Sequence, residues 1–125
     1  MRQRVRSGSP YEPRIGFSRA LRIGDRVLVS GTAPVFPDGE CPADAHAQAQ
    51  RCFEIITTAL REAGARADQV VRSRMYIVDP ADAESVGEAH REAFGEAAPA
   101  ATMVVVAALL DPRWRVEIEA EAQLD

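Results

Sequence analysis

Two apolar stripes at helical spacing, a strictly alternating strand near the C-terminus and a hairpin signal in the first third place this chain in the α+β class. The element order they predict is β-β-β-α-β-α-β-β, giving one six-stranded mixed sheet with two helices packed on one face. At 125 residues the chain reads as a single domain, 1–125, large enough to bury a real core.

Each element follows from its residues. Arg2 to Ser7 suits a short first strand, ended by Gly8-Ser9-Pro10, and residues 11–16 read as loop. Ser18–Ile23 and Arg26–Ser30 are strand-like runs on either side of the turn dipeptide Gly24-Asp25, with Gly31 closing the second. Thr32 to Pro42 carries three prolines and the run Pro37-Asp38-Gly39, a loop signature. Over Ala43–Ala63, the residues Ala45, Ala49, Cys52, Phe53, Ile56, Ala59, Leu60 and Ala63 form one apolar stripe, and Gly64 stands where a helix end prefers glycine. Asp68–Val78 alternates as a strand, with Val71, Ser73, Met75 and Ile77 on one side and Val70, Arg72, Arg74 and Tyr76 on the other. Asp79 is a natural N-cap and Pro80 a natural first helical residue. The helix they open places Val86, Ala89, His90, Ala93 and Phe94 on one face and stops at Gly95.

The last quarter predicts a hairpin around which the chain is built. Ala98 to Leu109 is almost continuously apolar, as in a strand buried on both faces, and Asp111-Pro112 reads as its turn. The return strand alternates, with Arg115, Glu117, Glu119 and Glu121 on one side and Val116, Ile118, Ala120 and Ala122 on the other. Its acidic face is expected beside Arg72 and Arg74, where opposite charges on neighbouring strands stabilise the sheet. That face is either solvated or closed off by further copies of the chain in a symmetric oligomer.

Composition excludes several functions. The net charge of −4, with no lysine, argues against nucleic-acid binding, which needs clustered cations. No apolar run approaches the length of a membrane span, and Met-Arg-Gln-Arg-Val-Arg lacks the apolar stretch of a signal peptide. The cysteines, Cys41 and Cys52, read as reduced thiols, so a cytoplasmic location is expected. Two histidines 44 positions apart and two cysteines 11 apart show no metal-ligand spacing, and neither a metal nor a cofactor is expected. No Gly-rich phosphate loop is present either.

Four stretches carry a resemblance: Ile15-Gly16-Phe17-Ser18-Arg19-Ala20, Val27-Leu28-Val29-Ser30-Gly31, Pro99-Ala100-Ala101-Thr102, and Val116-Glu117-Ile118-Glu119-Ala120. In this order they resemble the YjgF/RidA (Rid) family, also labelled endoribonuclease L-PSP. The resemblance implies a chorismate-mutase-like α+β fold. It also implies a homotrimer with sheets lining a central barrel, and clefts for a small metabolite between subunits. In active members an arginine of a Pro-Ala-Arg-Thr/Ser motif grips the carboxylate of a 2-imino acid, while a glutamate polarises the water that releases ammonia. Here that arginine is replaced by Ala101, whose methyl group cannot hold a carboxylate.

By the same resemblance Glu117 matches the catalytic glutamate, and Phe17, Ser30, Gly31, His90, Ala101, Thr102 and Met103 match ligand-binding positions. The pattern implies a subfamily that binds a small metabolite without 2-imino acid deaminase activity, or a hydrolase for a non-standard imine or enamine. From the residues alone, Glu117 is either a general base in a cleft or a member of the charged strand face bonded to Arg72 or Arg74. His90 is either a ligand or proton shuttle facing the cleft, or a packing histidine. Arg19 reads as a surface arginine, or as a replacement cation from another direction, and His46 as a surface residue. Ser30 has no visible His-Asp partnership, so it is not expected to be a nucleophile.

Overall fold

The computed structural model describes residues 2–125, and its sheet has the order β1-β2-β3-β6-β4-β5. Its strands are β1 (Arg2–Val5), β2 (Ala20–Ile23), β3 (Arg26–Thr32), β4 (Val70–Ile77), β5 (Ala100–Val105) and β6 (Val116–Gln123). The long helices are α2 (Ala45–Glu62) and α3 (Ala83–Phe94), and a short helix, α1 (Tyr11–Ile15), precedes β2. β4 and β5 are parallel and every other neighbouring pair is antiparallel, so the sheet is mixed.

α2 and α3 lie on one face of this sheet, and a single core forms beneath them. Val27, Val29, Met75, Ile77, Val116, Ile118 and Ala120 on the strands join Cys52, Phe53, Ile56, Leu60, Val86 and Phe94 on the helices. These helical residues recur at the spacing that makes one face, so burial of that face rather than intrinsic propensity holds each helix in place. The Asp44 side chain caps α2 by accepting from the Ala47 N–H at 2.9 Å, and Gly64 follows its end at φ +89°, a conformation other residues resist. Asp79 caps a single tight turn at Pro80–Asp82 that leads into α3.

A buried amide ties the loops to this frame. Gln48 donates to Pro42 O at 2.7 Å and Arg113 O at 3.0 Å, and accepts from the Arg115 N–H at 2.7 Å. Beside it, Arg115 binds Asp82 through two hydrogen bonds of 2.8 and 3.1 Å, joining the start of β6 to the start of α3.

Four expectations are corrected. The apolar strand and the alternating strand do not form a hairpin: β6 runs between β3 and β4, while β5 pairs in parallel with β4 at the far edge. Nor is β5 buried on both faces, for its edge position leaves Val104 and Val105 exposed. In β4 a register shift between Val70 and Arg72 turns Val70 into the core and Val71 outward, against the simple alternation. Residues 11–15, expected as loop, are helical although Pro13 lies inside them, because one turn can carry a proline near its start.

Candidate functional site

The strand face away from the helices is charged, and its pairing is largely as expected. The register sets Arg72 beside Glu121, Arg74 beside Glu119 and Tyr76 beside Glu117. Arg74 Nη1 lies 3.7 Å from Glu119 and 3.5 Å from Glu121, Arg26 binds Glu121 at 2.6 Å, and the Tyr76 hydroxyl donates to Glu119. Glu119 and Glu121 are therefore satisfied. Among the described residues Glu117 has neither a hydrogen bond nor an ion pair, so the sequence alternative that bonds it to Arg72 or Arg74 is not realised.

Why Glu117 is singled out lies in β3. Between Val29 and Thr32 the pairing with β6 shifts, so that Ser30 and Gly31 together oppose Glu119. The bulge brings Gly31 against Glu117: a Cβ at position 31 would lie 2.6 Å from Glu117 Oε2. Only a residue without a side chain leaves that carboxylate where it is. Burial pushes the Glu117 carboxyl above its ordinary value, with Arg19 acting in the opposite sense and Glu119 reinforcing the rise. A half-buried carboxylate raised in this way and free of partners has the chemistry of a general base.

Arg19 corrects the sequence reading: it is buried, at 6% exposure, and not a surface residue. Its Nη1 donates to Gly31 O at 2.6 Å and Thr32 Oγ1 at 2.8 Å, and its Nε is 3.5 Å from the buried Glu12. The guanidinium also sits 5.3 Å from the Phe17 ring centre. Ser30 donates its hydroxyl to Ser18 O at 2.7 Å. Phe17, Ser30, Gly31 and Glu117 are thus gathered around the buried Arg19 cation.

The remaining candidates lie elsewhere. The β4–β5 register pairs Ala101 with Ser73 and Met103 with Met75, on the helix side, whereas Thr102 pairs with Arg74 on the charged side. His90 reaches this edge from α3, with Nε2 2.7 Å from Ser73 Oγ and its ring edge-on to Phe53 and Phe94. Burial lowers its pKa, which disfavours the charged form of this packed imidazole. Within one chain, then, the Glu117 group and the Ala101–His90 group occupy opposite faces of the sheet.

His46 lies on the outer helix surface, where its Nε2 is 3.1 Å from Glu92 and the ligand atoms of His46, Glu88 and Glu92 come within 4.8 Å of one another. The three come from two helices, so linear spacing could not reveal them. Among the described residues no helix is long and apolar enough to cross a membrane.

A sheet of this topology with an unpaired glutamate behind a glycine bulge defines a class, and comparison with known proteins gives the family. The chain belongs to the endoribonuclease L-PSP family, whose model matches residues 8–124. A crystal structure from Mycobacterium tuberculosis, of a member of the YjgF/YER057c/UK114 family, is similar with a TM-score of 0.91 and 42% identity, covering 99% of this chain and 100% of that one. An uncharacterized protein of Streptomyces coelicolor is 38% identical over 123 residues, 96% of this chain and 90% of that protein. The 2-iminobutanoate/2-iminopropanoate deaminase of Escherichia coli is 31% identical over 111 residues, 85% of each chain.

Proposed function

We propose that the chain works as a homotrimer that binds a small metabolite in clefts between copies, and that it lacks 2-imino acid deaminase activity. The observation that carries this is the separation of the two site groups. Glu117, Gly31, Ser30 and Phe17 lie on the charged face, while Ala101, Met103 and His90 lie on the helix side of the edge strand. One chain cannot bring them around one ligand, but the exposed edge of β5 laid against the charged face of a second copy can. Val105 at that edge is 54% exposed, an apolar strand that a partner would cover.

Loss of deaminase activity follows from the cations. Ala101 offers no charge, burial disfavours the charged form of His90, and Arg19 spends Nη1 on Gly31 O and Thr32 Oγ1 while its Nε faces Glu12. The guanidinium beside Glu117 is thus largely committed to the protein's own oxygens and does not replace a dedicated clamp for the carboxylate of an imino acid. A second reading, hydrolysis of an imine or enamine that carries no carboxylate, is favoured by the unpaired Glu117 itself. In that case Glu117 takes a proton from water as it attacks the C=N carbon.

Sedimentation equilibrium tests the assembly: it is expected to give about three times the 13.6 kDa chain mass. A stable monomer that still binds a metabolite through Glu117 would contradict the cleft between copies.

A further inference from the structure

The outer surface of the helix layer carries a group of side chains that belongs to neither half of the site above. His46 stands in the first turn of α2, and Glu88 and Glu92 stand one turn apart on α3. His46 Nε2 lies 3.1 Å from Glu92 Oε1, and one ligand atom from each of the three residues falls within 4.8 Å of the others. Charge is poorly balanced there. Two carboxylates at i and i+4 on one helix repel each other. Glu88 has no ion pair among the described residues, and the one that Glu92 makes is with His46 rather than with an arginine.

The donor set has the chemistry of a metal site. Two carboxylates and an imidazole suit zinc and its neighbours in the transition series, whereas magnesium and calcium take oxygen ligands. With metal–ligand bonds of about 2.0–2.2 Å, adjacent ligands on one ion stand about 3 Å apart. His46 and Glu92 already have that separation, and Glu88 is exposed, so its side chain is free to rotate inward. The His46 side chain is only 28% exposed, which limits what it loses on being fixed. Both contacts of Glu92, with His46 and with the Gln50 amide at 3.4 Å, use Oε1 and leave Oε2 for an ion.

We propose that His46, Glu88 and Glu92 form a binding site for a divalent transition-metal ion of the zinc class, which clamps α2 to α3. Three protein ligands leave at least one position for water. The ion replaces the repulsion between the two carboxylates with a shared attraction and joins two helices that otherwise meet through their apolar faces. The clamp is independent of the cleft between copies, because none of its ligands is used there.

Zinc chloride, titrated calorimetrically into the intact protein after treatment with a chelator, tests this. One ion per chain is expected, and zinc at about 100 times its Kd is expected to raise Tm by about 5 °C or more. Magnesium chloride at the same concentration is expected to do neither. His46→Ala and Glu88→Gln are each expected to weaken zinc binding about tenfold or more while keeping the metal-free Tm. Cys41→Ser, which removes the less buried of the two thiols, is expected to leave zinc binding unchanged. Absence of zinc binding would overturn the proposal, and so would undiminished binding by His46→Ala or equal binding of magnesium. Loss of binding in Cys41→Ser would move the ion to the thiol, and a rise in oligomeric mass with zinc would place it between copies; either result contradicts a clamp within one chain.

Discussion

Arg19→Met is expected to destabilise the fold by about 3–5 kcal/mol, the cost of breaking a buried ion pair by removing one partner. Arg19 is enclosed between Glu12, Gly31 and Thr32. Methionine fills much of the same volume but leaves Glu12, itself 2% exposed, as an uncompensated charge held only by Ser7. It also removes the donors from Gly31 O and Thr32 Oγ1, two groups that position the bulge behind Glu117. Equilibrium urea unfolding measures the loss. The double variant Glu12→Gln/Arg19→Met is expected to recover a substantial part of it, because a neutral amide tolerates burial better than a lone carboxylate. A single-variant change within about 0.5 kcal/mol, the range of ordinary surface substitutions, would restore Arg19 to the surface.

Gln48→Ala carries the second large effect, expected at about 3 kcal/mol. The side chain is fully buried and all of its hydrogen-bonding groups are used, two as donors and one as acceptor. Truncation leaves the Arg115 N–H without its acceptor, at about 1–3 kcal/mol for an unsatisfied buried group, takes one donor from each of two carbonyls, and leaves a cavity besides. The loss is local in origin. The Thr32–Asp44 connection and the segment before β6 are joined through this amide, so the Arg115 N–H is expected to exchange with solvent far faster in the variant. Urea unfolding and hydrogen exchange at Arg115 read the two effects separately. An unchanged Arg115 exchange rate would show that the loops are held by other contacts.

How much of this was legible in the sequence depends on the range of the interaction. The stripes of α2 and α3 and the Glu–Val alternation of β6 are local periodicities, and each appears where the residues put it. Arg74 meeting Glu119 and Glu121 was also foreseeable, since both strands had to place their charges on the open face. Strand pairing was not. Val104 and Val105 look like core because apolarity records what a strand avoids, not which neighbour it has, and an apolar edge strand reads the same as a buried one.

Arg19 was misplaced for a similar reason. Its counter-ion, Glu12, lies in a five-residue helix too short to show a period and interrupted by Pro13. No signal at position 19 itself distinguishes a buried arginine from a solvated one; the clue was the acidic residue seven positions earlier. His90 was legible as a packing residue on the apolar face of α3, but its bond to Ser73 depends on a strand that the sequence places only approximately. The bulge that brings Gly31 to Glu117 was not legible, since glycine at a strand end has several uses; the family resemblance marked both residues as site positions without bringing them together.

We propose that the scaffold keeps its glutamate, Glu117, and lacks a carboxylate clamp at Ala101. Ammonia release from freshly generated 2-iminobutanoate, measured on this protein beside its Ala101→Arg variant, tests that most directly. The account predicts release at the spontaneous rate for the native chain and a gain of about tenfold or more for the variant, the scale of one bidentate charged contact made at the transition state. Ready release by the native chain, unaffected by Ala101→Arg, would contradict it.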